Sequence, residues 1–509
     1  MSARALLVLL GSVVGCGAAA PLSPPPPAPT PIPRPPPLVV DDSASRTTPD
    51  APFRDHVPEA GPKVAFAPPK IESFTLKNGV RVLLVERHEL PIVSVRVALK
   101  TGAGDLPGAD PLLFSFMGAM LEQGTSKRSA LEISDAFEAI GASHSASVGL
   151  DSGGGSVKAL TAKLDAALDL LSDVVLHPSF PDAEIDRLRT RWIGYAQQQR
   201  TSPGALLQSA LAASVYGHAH PYGRSPIPKE PDLRKISRAG LLSAYAREFS
   251  PSNAAIAVAG DVTKEALLPK LEAAFGAWRG PTLPPPKPLA APLQKGEANR
   301  LVLVDRPGAP QAQVSLAEPG IPWSSPDRDA VAVMNAILGG MFSSRINLNL
   351  REAHAYTYGA RSAFSLRHGS GPFSAGGAIV ADKTAPAIHE LFKEIDAMRE
   401  REVSPEELGD AKEAIRQGMP GRFETVGAVT DALADIAIYG MPIDEYTTRP
   451  ARIDAVTAAD VKRVAAAHLH PRSMKVVVVG DRATLEPALE VLHMGLPEVR
   501  DPYGDVVKR

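Results

Sequence analysis

YAREFSPSNAAIAVAGDVTKEAL (Tyr245–Leu267) and VAAAHLHPRSMKVVVVGDRATLEPAL (Val464–Leu489) lie far apart in the chain and read alike. Each passes from a helical pattern through a Pro-containing turn into a short apolar strand, then leaves through Gly-Asp. Toward the other end of each half, LPIVSVRVAL (Leu90–Leu99) parallels APQAQVSLAE (Ala309–Glu318), and FMGAM (Phe116–Met120) parallels ILGGM (Ile337–Met341). The anchors Asp261/Asp481 and Met120/Met341 share one offset of about 220 positions, the mark of a tandem duplication. ESFTLKNGVRVLLVER (Glu72–Arg87) reads as a hairpin turning at Asn78-Gly79. ALTAKLDAALDLLSDVVL (Ala159–Leu176) reads as a helix with Leu164, Leu168 and Leu171 on one stripe, and Ser404 with Glu407 forms a capping box at the start of another. The predicted fold class is α+β: two duplicated domains, each a mixed β-sheet packed against helices.

Composition narrows the function. The chain has 509 residues, 44% hydrophobic and 22% charged, enough to build more than one core. Lys and Arg total 54 against 56 acidic residues, so there is no electrostatic case for nucleic acid as a partner. The single cysteine, Cys16, rules out an intramolecular disulfide and a cysteine-based zinc site.

The N-terminus carries one basic residue, Arg4, before the apolar run Ala5–Val14, which is too short for a mature membrane span and reads as a signal-peptide core. VVGC (Val13–Cys16) resembles a bacterial lipobox, which would make Cys16 the lipidated first residue of the mature protein; the alternative is ordinary cleavage near Ala18–Ala20. Pro21–Pro37 holds eleven prolines and predicts a semi-rigid spacer; at about 3.1 Å per residue it would reach roughly 50 Å. The expected organisation is a lipoprotein signal peptide (1–16), a Pro-rich tether (17–65), a first domain (66–280), a Pro-rich linker (281–299), a second domain (300–496) and a tail (497–509). The expected location is the bacterial cell envelope, periplasm-facing or outer membrane, with the lipid as the only membrane contact.

No H-E-x-x-H, G-x-S-x-G, Walker A or dinucleotide fingerprint occurs, and Gly153–Gly155 reads as a loop. The tandem halves, TLKNGVRVLLVER, FMGAMLEQGTSKRSALEISDAFEAIGA (Phe116–Ala142), YGHAHPYGR (Tyr216–Arg224) and LGGMFSSRINLNLREAHAYTYGA (Leu338–Ala360) together resemble the insulinase/pitrilysin (M16) family of zinc metallopeptidases. The resemblance covers nearly all of residues 71–490 and implies a LuxS/metallohydrolase-like α+β fold in each half.

In that family H-x-x-E-H precedes M-L-x-x-G-T, with the two His and a later Glu as zinc ligands and the first Glu as general base. MLEQGT is Met120–Thr125, which places Ser115, Gly118 and Ala119 at the two His and the Glu positions, and the third ligand falls at about Gly194 or Tyr195. Every one of these roles is lost. Glu122, Glu184 and Asp186 are the nearest acids and read as surface carboxylates; His144 reads as a surface or cross-strand residue, and His218 with His220 as a structural loop, with weak metal binding by the H-x-H pair as the lesser alternative. The family's second domain supplies an Arg and a Tyr seven positions apart that hold the substrate backbone, and here they match Arg351 and Tyr358. Both can donate hydrogen bonds to a peptide carbonyl or oxyanion; the alternative is that Arg351 caps or pairs locally and Tyr358 is a strand residue. Tyr356 is an equally good packing or substrate contact, and Gly339 and Gly340 read as close-approach residues.

The resemblance therefore implies a chain without zinc of its own. It would be inactive in isolation and would pair with an H-x-x-E-H subunit that holds the zinc, giving a heterodimer that hydrolyses peptides. A non-catalytic envelope scaffold, like the core subunits of the respiratory bc1 complex, is the rival reading. An active zinc peptidase with unrecognised ligands is a third, and a homodimer remains open.

Overall fold

A computed structural model describes residues 51, 66–105, 110–283, 289 and 300–508. The signal peptide, Cys16, nearly all of the tether and most of the Pro-rich linker lie outside the described residues. Ala65–Arg509 form one compact unit. Among the described residues no helix is long and apolar enough to cross a membrane.

Among the described residues, twelve strands make two six-stranded mixed sheets. The first contains β1 (Glu72–Thr75), β2 (Arg81–Glu86), β3 (Ile92–Leu99), β4 (Ser143–Val148), β5 (Gly153–Leu160) and β6 (Ala254–Gly260) in the order β1-β2-β6-β3-β5-β4. The second contains β7 (Leu301–Asp305), β8 (Gln311–Pro319), β9 (Ala360–Phe364), β10 (Pro372–Val380), β11 (Lys475–Gly480) and β12 (Glu498–Arg500) in the order β12-β7-β11-β8-β10-β9. Five strands correspond one to one: β2-β6-β3-β5-β4 and β7-β11-β8-β10-β9 share both order and direction, the first pair parallel and the rest antiparallel. The sequence duplication is thus a duplication of topology.

Alternation within the strands explains how these sheets are covered. Val82 and Leu84 of β2 and Ile256 and Val258 of β6 enter a core built with the first half's own helices. Their neighbours Leu83, Val85, Ala257 and Ala259 point to the other face, where Val429, Leu433 and Ile436 of the helix Val426–Ile438 cover them. That helix belongs to the second half. The converse holds on the second sheet, where Val302, Val304, Val477 and Val479 pack against Leu206, Ala210 and Leu211 of the first half's helix Pro203–Tyr216. Each half lends a helix to its partner's sheet, so continuous apolar strands such as Val476–Val479 are buried on both faces. Polar contacts fix the exchange: Arg96 of β3 meets Asp431 at 2.6 Å, and Tyr216 donates to the Ser370 carbonyl at 2.9 Å.

Two expectations change. Gly153–Gly155 is not a loop but the start of β5, paired with Leu99, Ala98 and Val97. Gly154 has φ +128°, and a Cβ there would lie 1.9 Å from the Val97 carbonyl oxygen, so the run permits close strand approach. The stretch read as a tail supplies β12, which occupies the edge that β1 holds in the first sheet, and Asp505 beyond it pairs with Lys229.

Candidate functional site

The helix Pro111–Met120 carries the three positions matched to H-x-x-E-H. Asp110 caps it, accepting from the Leu112 amide, and Pro111 occupies its first turn, where a missing N–H costs nothing. Phe116, Met117 and Met120 are buried, whereas Ser115 and Ala119 are half-buried. Beside it lies the helix Asp182–Gln199, whose Trp192 meets Phe116 edge-on at 5.1 Å. Gly194 and Tyr195 on that helix face solvent.

These residues do not fit a zinc ion. None of Ser115, Gly118, Ala119 and Gly194 carries an imidazole or carboxylate, and Tyr195 offers only a phenol. Gly118, where the family has its catalytic Glu, has no room for any side chain: a Cβ would lie 2.2 Å from the Val148 amide nitrogen and 2.8 Å from the Ser147 carbonyl carbon of β4. The matching glycine of the second half behaves identically, since a Cβ on Gly339 would lie 2.3 Å from the Ser362 nitrogen of β9. The motif helix is therefore seated on its edge strand in the way the second half seats its own.

Neighbouring acids are already engaged. Glu122 and His144 share a 2.6 Å hydrogen bond, and the His144 ring stacks on Phe137 at 3.9 Å. Glu184 pairs with Arg187 and Asp186 with Arg189. In the loop after the first half's exchanged helix, His218 pairs with Asp505 and His220 accepts from the Tyr222 amide, so the two do not act as a metal-binding pair. Among the described residues, one trio of His and carboxylate side chains brings its ligand atoms within reach of a common ion, Asp105, Asp151 and His368, none of which lies in the motif.

The Arg351–Tyr358 segment is built to hold two side chains out. Arg351 lies in the wide helical turn Leu348–Ala353, and Tyr358 lies in the loop before β9 rather than within a strand. Asn347 pins both ends of this segment, donating to the Phe342 carbonyl at 2.7 Å and accepting from the Ala360 amide at 3.2 Å. Thr357 donates to the Ala378 carbonyl at 2.6 Å, and Ala355 takes a left-handed φ of +51° that reverses the chain. Arg345 makes a bidentate bond to Glu407 at 2.6 and 2.8 Å, tying the preceding turn to the capping box at Ser404. That pairing holds the Glu407 carboxyl down at about 2.

On this fixed backbone the Tyr358 side chain is 92% exposed and Phe342 72% exposed. The half-buried Arg351 guanidinium lies 4.6 Å above the Phe342 ring, with Glu352 as its ion-pair neighbour among the described residues at 3.5 Å. Tyr356 differs: it stacks on His354 at 4.9 Å and packs against the second core. A pinned loop presenting a phenol and a guanidinium to solvent can donate hydrogen bonds to an incoming peptide.

Two repeated mixed sheets, exchanged helices and a first-half helix followed by M-L-x-x-G-T define an M16-type peptidase fold. The profile described as "Insulinase (Peptidase family M16)" matches residues 81–225, and "Peptidase M16 inactive domain" matches residues 235–415. The chain belongs to the M16 family. An uncharacterised zinc protease of Mycobacterium tuberculosis is 28% identical over 83% of this chain and 95% of its own length. The mouse mitochondrial-processing peptidase subunit beta is 24% identical over 83% of this chain and 87% of its own. A crystal structure of a peptidase M16 inactive domain from Pseudomonas fluorescens superposes with TM-score 0.73 at 25% identity, covering 81% of this chain and 98% of that one.

Proposed function

We propose that this chain is the non-zinc subunit of a heterodimeric M16 peptidase, supplying Arg351 and Tyr358 to the active site of an H-x-x-E-H partner. The observation that carries this reading is the contrast within one molecule. The first-half helix has no ligand and no space for the general base, whereas the stretch carrying Arg351 and Tyr358 is held by Asn347 between Phe342 and Ala360, with Tyr358 exposed and Arg351 half-buried at its edge. The "subunit" in the name of the mouse relative, and the zinc-protease names of the bacterial ones, support a division of labour between chains.

In this reading the partner would hold the zinc, whose chemistry there would be polarisation of the scissile carbonyl and activation of water. Arg351 and Tyr358 then donate to the substrate backbone and to the oxyanion as charge develops on it. Each such donor is worth on the order of 10²-fold in rate when preorganised. The substrates are peptides or small unfolded proteins. We further propose that Cys16 carries a lipid that tethers the body to the bacterial envelope through the Pro-rich spacer.

Purified chain, alone and mixed with an H-x-x-E-H M16 protein of the same organism, tests this. Zinc content and cleavage of quenched fluorescent peptides should both be absent from the lone chain, and cleavage should appear in the mixture. An inert mixture would favour the scaffold reading. Zinc and cleavage in the lone chain would contradict both.

A further inference from the structure

Away from these surfaces, one cluster of buried charge joins the two halves. His368, between β9 and β10, places Nδ1 2.9 and 3.0 Å from the two carboxylate oxygens of Asp105, in the loop after β3. Its Nε2 lies 2.9 Å from the carbonyl oxygen of Ile438, the last residue of the second half's exchanged helix. Both partners are acceptors. A neutral imidazole has one N–H and would set a lone pair against one of them; only the imidazolium donates to both.

The charged groups around this ring are few. Asp105 is 2% exposed and also accepts from the Gly102 amide at 2.9 Å. Asp151, in the β4–β5 turn, accepts from the Tyr222 hydroxyl at 2.7 Å, and Arg367 lies 4.9 Å above the Tyr222 ring. Tyr439 meets the His368 ring edge-on at 5.1 Å, and buried Glu248 accepts from Thr101 at 3.1 Å behind Asp105. Burial opposes charge on His368, but the Asp105 hydrogen bond and charge, the Ile438 carbonyl and Asp151 outweigh it and leave its pKa raised. Burial likewise pushes the Asp151 carboxyl up, against the pull of Tyr222, Arg367 and His368.

We propose that His368 is a proton-operated latch between the halves, closed while its ring bridges Asp105 and Ile438 as an imidazolium and released when that proton is lost. The sign follows from the raised value. The latch contributes fully below the unfolded-state pKa of about 6.5 and is lost as pH rises through the higher folded-state value. Nothing in this inference depends on the subunit reading above.

Histidine hydrogen–deuterium exchange on the full chain, read by mass spectrometry on the peptide containing His368, reports its pKa without any substitution. The midpoint should lie above 6.5 and fall in Asp105→Asn. Chemical unfolding of His368→Gln against wild type should show its largest midpoint deficit at about pH 6, shrinking as pH rises through the His368 midpoint. A wild-type midpoint at or below 6.5, or a deficit that ignores pH, would overturn the latch. So would one equivalent of zinc retained through dialysis by wild type and lost in His368→Gln, which would make Asp105, Asp151 and His368 a metal site instead.

Discussion

Replacing Gly118 by Ala tests whether the degenerate motif has become a packing surface. An added methyl would lie 2.2 Å from the Val148 nitrogen and 2.8 Å from the Ser147 carbon, both backbone atoms of β4 that cannot swing aside. Ordinary contact needs about 3.5 Å or more, so helix and strand must separate by roughly 1 Å. Overpacking of this kind costs about 1–3 kcal/mol, whereas relieving a helical glycine returns about 0.5–1 kcal/mol. The net expectation is a loss of up to about 2.5 kcal/mol. Gly194→Ala is the internal control, because it lies inside the helix Asp182–Gln199 with nothing within 4 Å of the added carbon, and it should gain the propensity term alone. Gly339→Ala, against the Ser362 nitrogen, should lose stability as Gly118→Ala does. Urea denaturation of the four proteins, followed by circular dichroism, reads the ordering directly. If Gly118→Ala were as stable as Gly194→Ala, the close seating of the motif helix on β4 would be wrong, and with it the structural case against a side chain at the base position.

The triple substitution Ser115→His, Gly118→Glu, Ala119→His should fail to bind stoichiometric zinc by elemental analysis, because position 118 has no space and neither Gly194 nor Tyr195 of the neighbouring helix offers a carboxylate or imidazole as third ligand. Residues 66–280 and 300–509 expressed separately should not give stable monomers. Each would expose a sheet face now covered by the other's helix, and Val429, Leu433 and Ile436 alone each bury about 1.5–3 kcal/mol of side chain; soluble, cooperatively unfolding fragments would refute the exchange. Glu407→Gln should lower stability by about 1–2 kcal/mol at neutral pH by breaking the Arg345 fork. Because the folded carboxyl is held at about 2, that contribution is present above about 4.5 and fades as pH falls toward 2, so the gap between the urea midpoints of variant and wild type should narrow below pH 4.5 and close only near pH 2.

Much of this molecule is legible in its sequence, for identifiable reasons. A constant offset between Gly-Asp exits, helix motifs and strands specifies repetition, and repetition of pattern means repetition of topology. Asn78-Gly79 and the Ser404/Glu407 box are local signals, and each turns or caps the chain where it is read. The helix exchange escaped because a repeat says nothing about which copy covers which face. The trace it leaves is indirect: β2, β6, β7 and β11 are apolar on both faces, and Pro203–Tyr216 and Val426–Ile438 are apolar nearly all round, the marks of elements buried on more than one side. Gly118 was visible as a missing glutamate, while its packing role needed the comparison with Gly339 that the shared offset already contained. Glycines 153–155 were misread because glycine runs suit loops, yet here they let β5 approach β3 and the helix Leu164–Leu176. The His368–Asp105 pair, 263 positions apart, carries no local signal at all.

On the proposed reading, Arg351 and Tyr358 act at a zinc site on another chain. The most direct measurement is the peptide-cleavage rate of the assembled pair with Arg351→Ala and Tyr358→Phe in this chain, at a concentration where sizing confirms equal assembly. The expected result is unchanged association and a rate lower by on the order of 10²-fold for each substitution. Full activity with both substitutions in place would contradict the account.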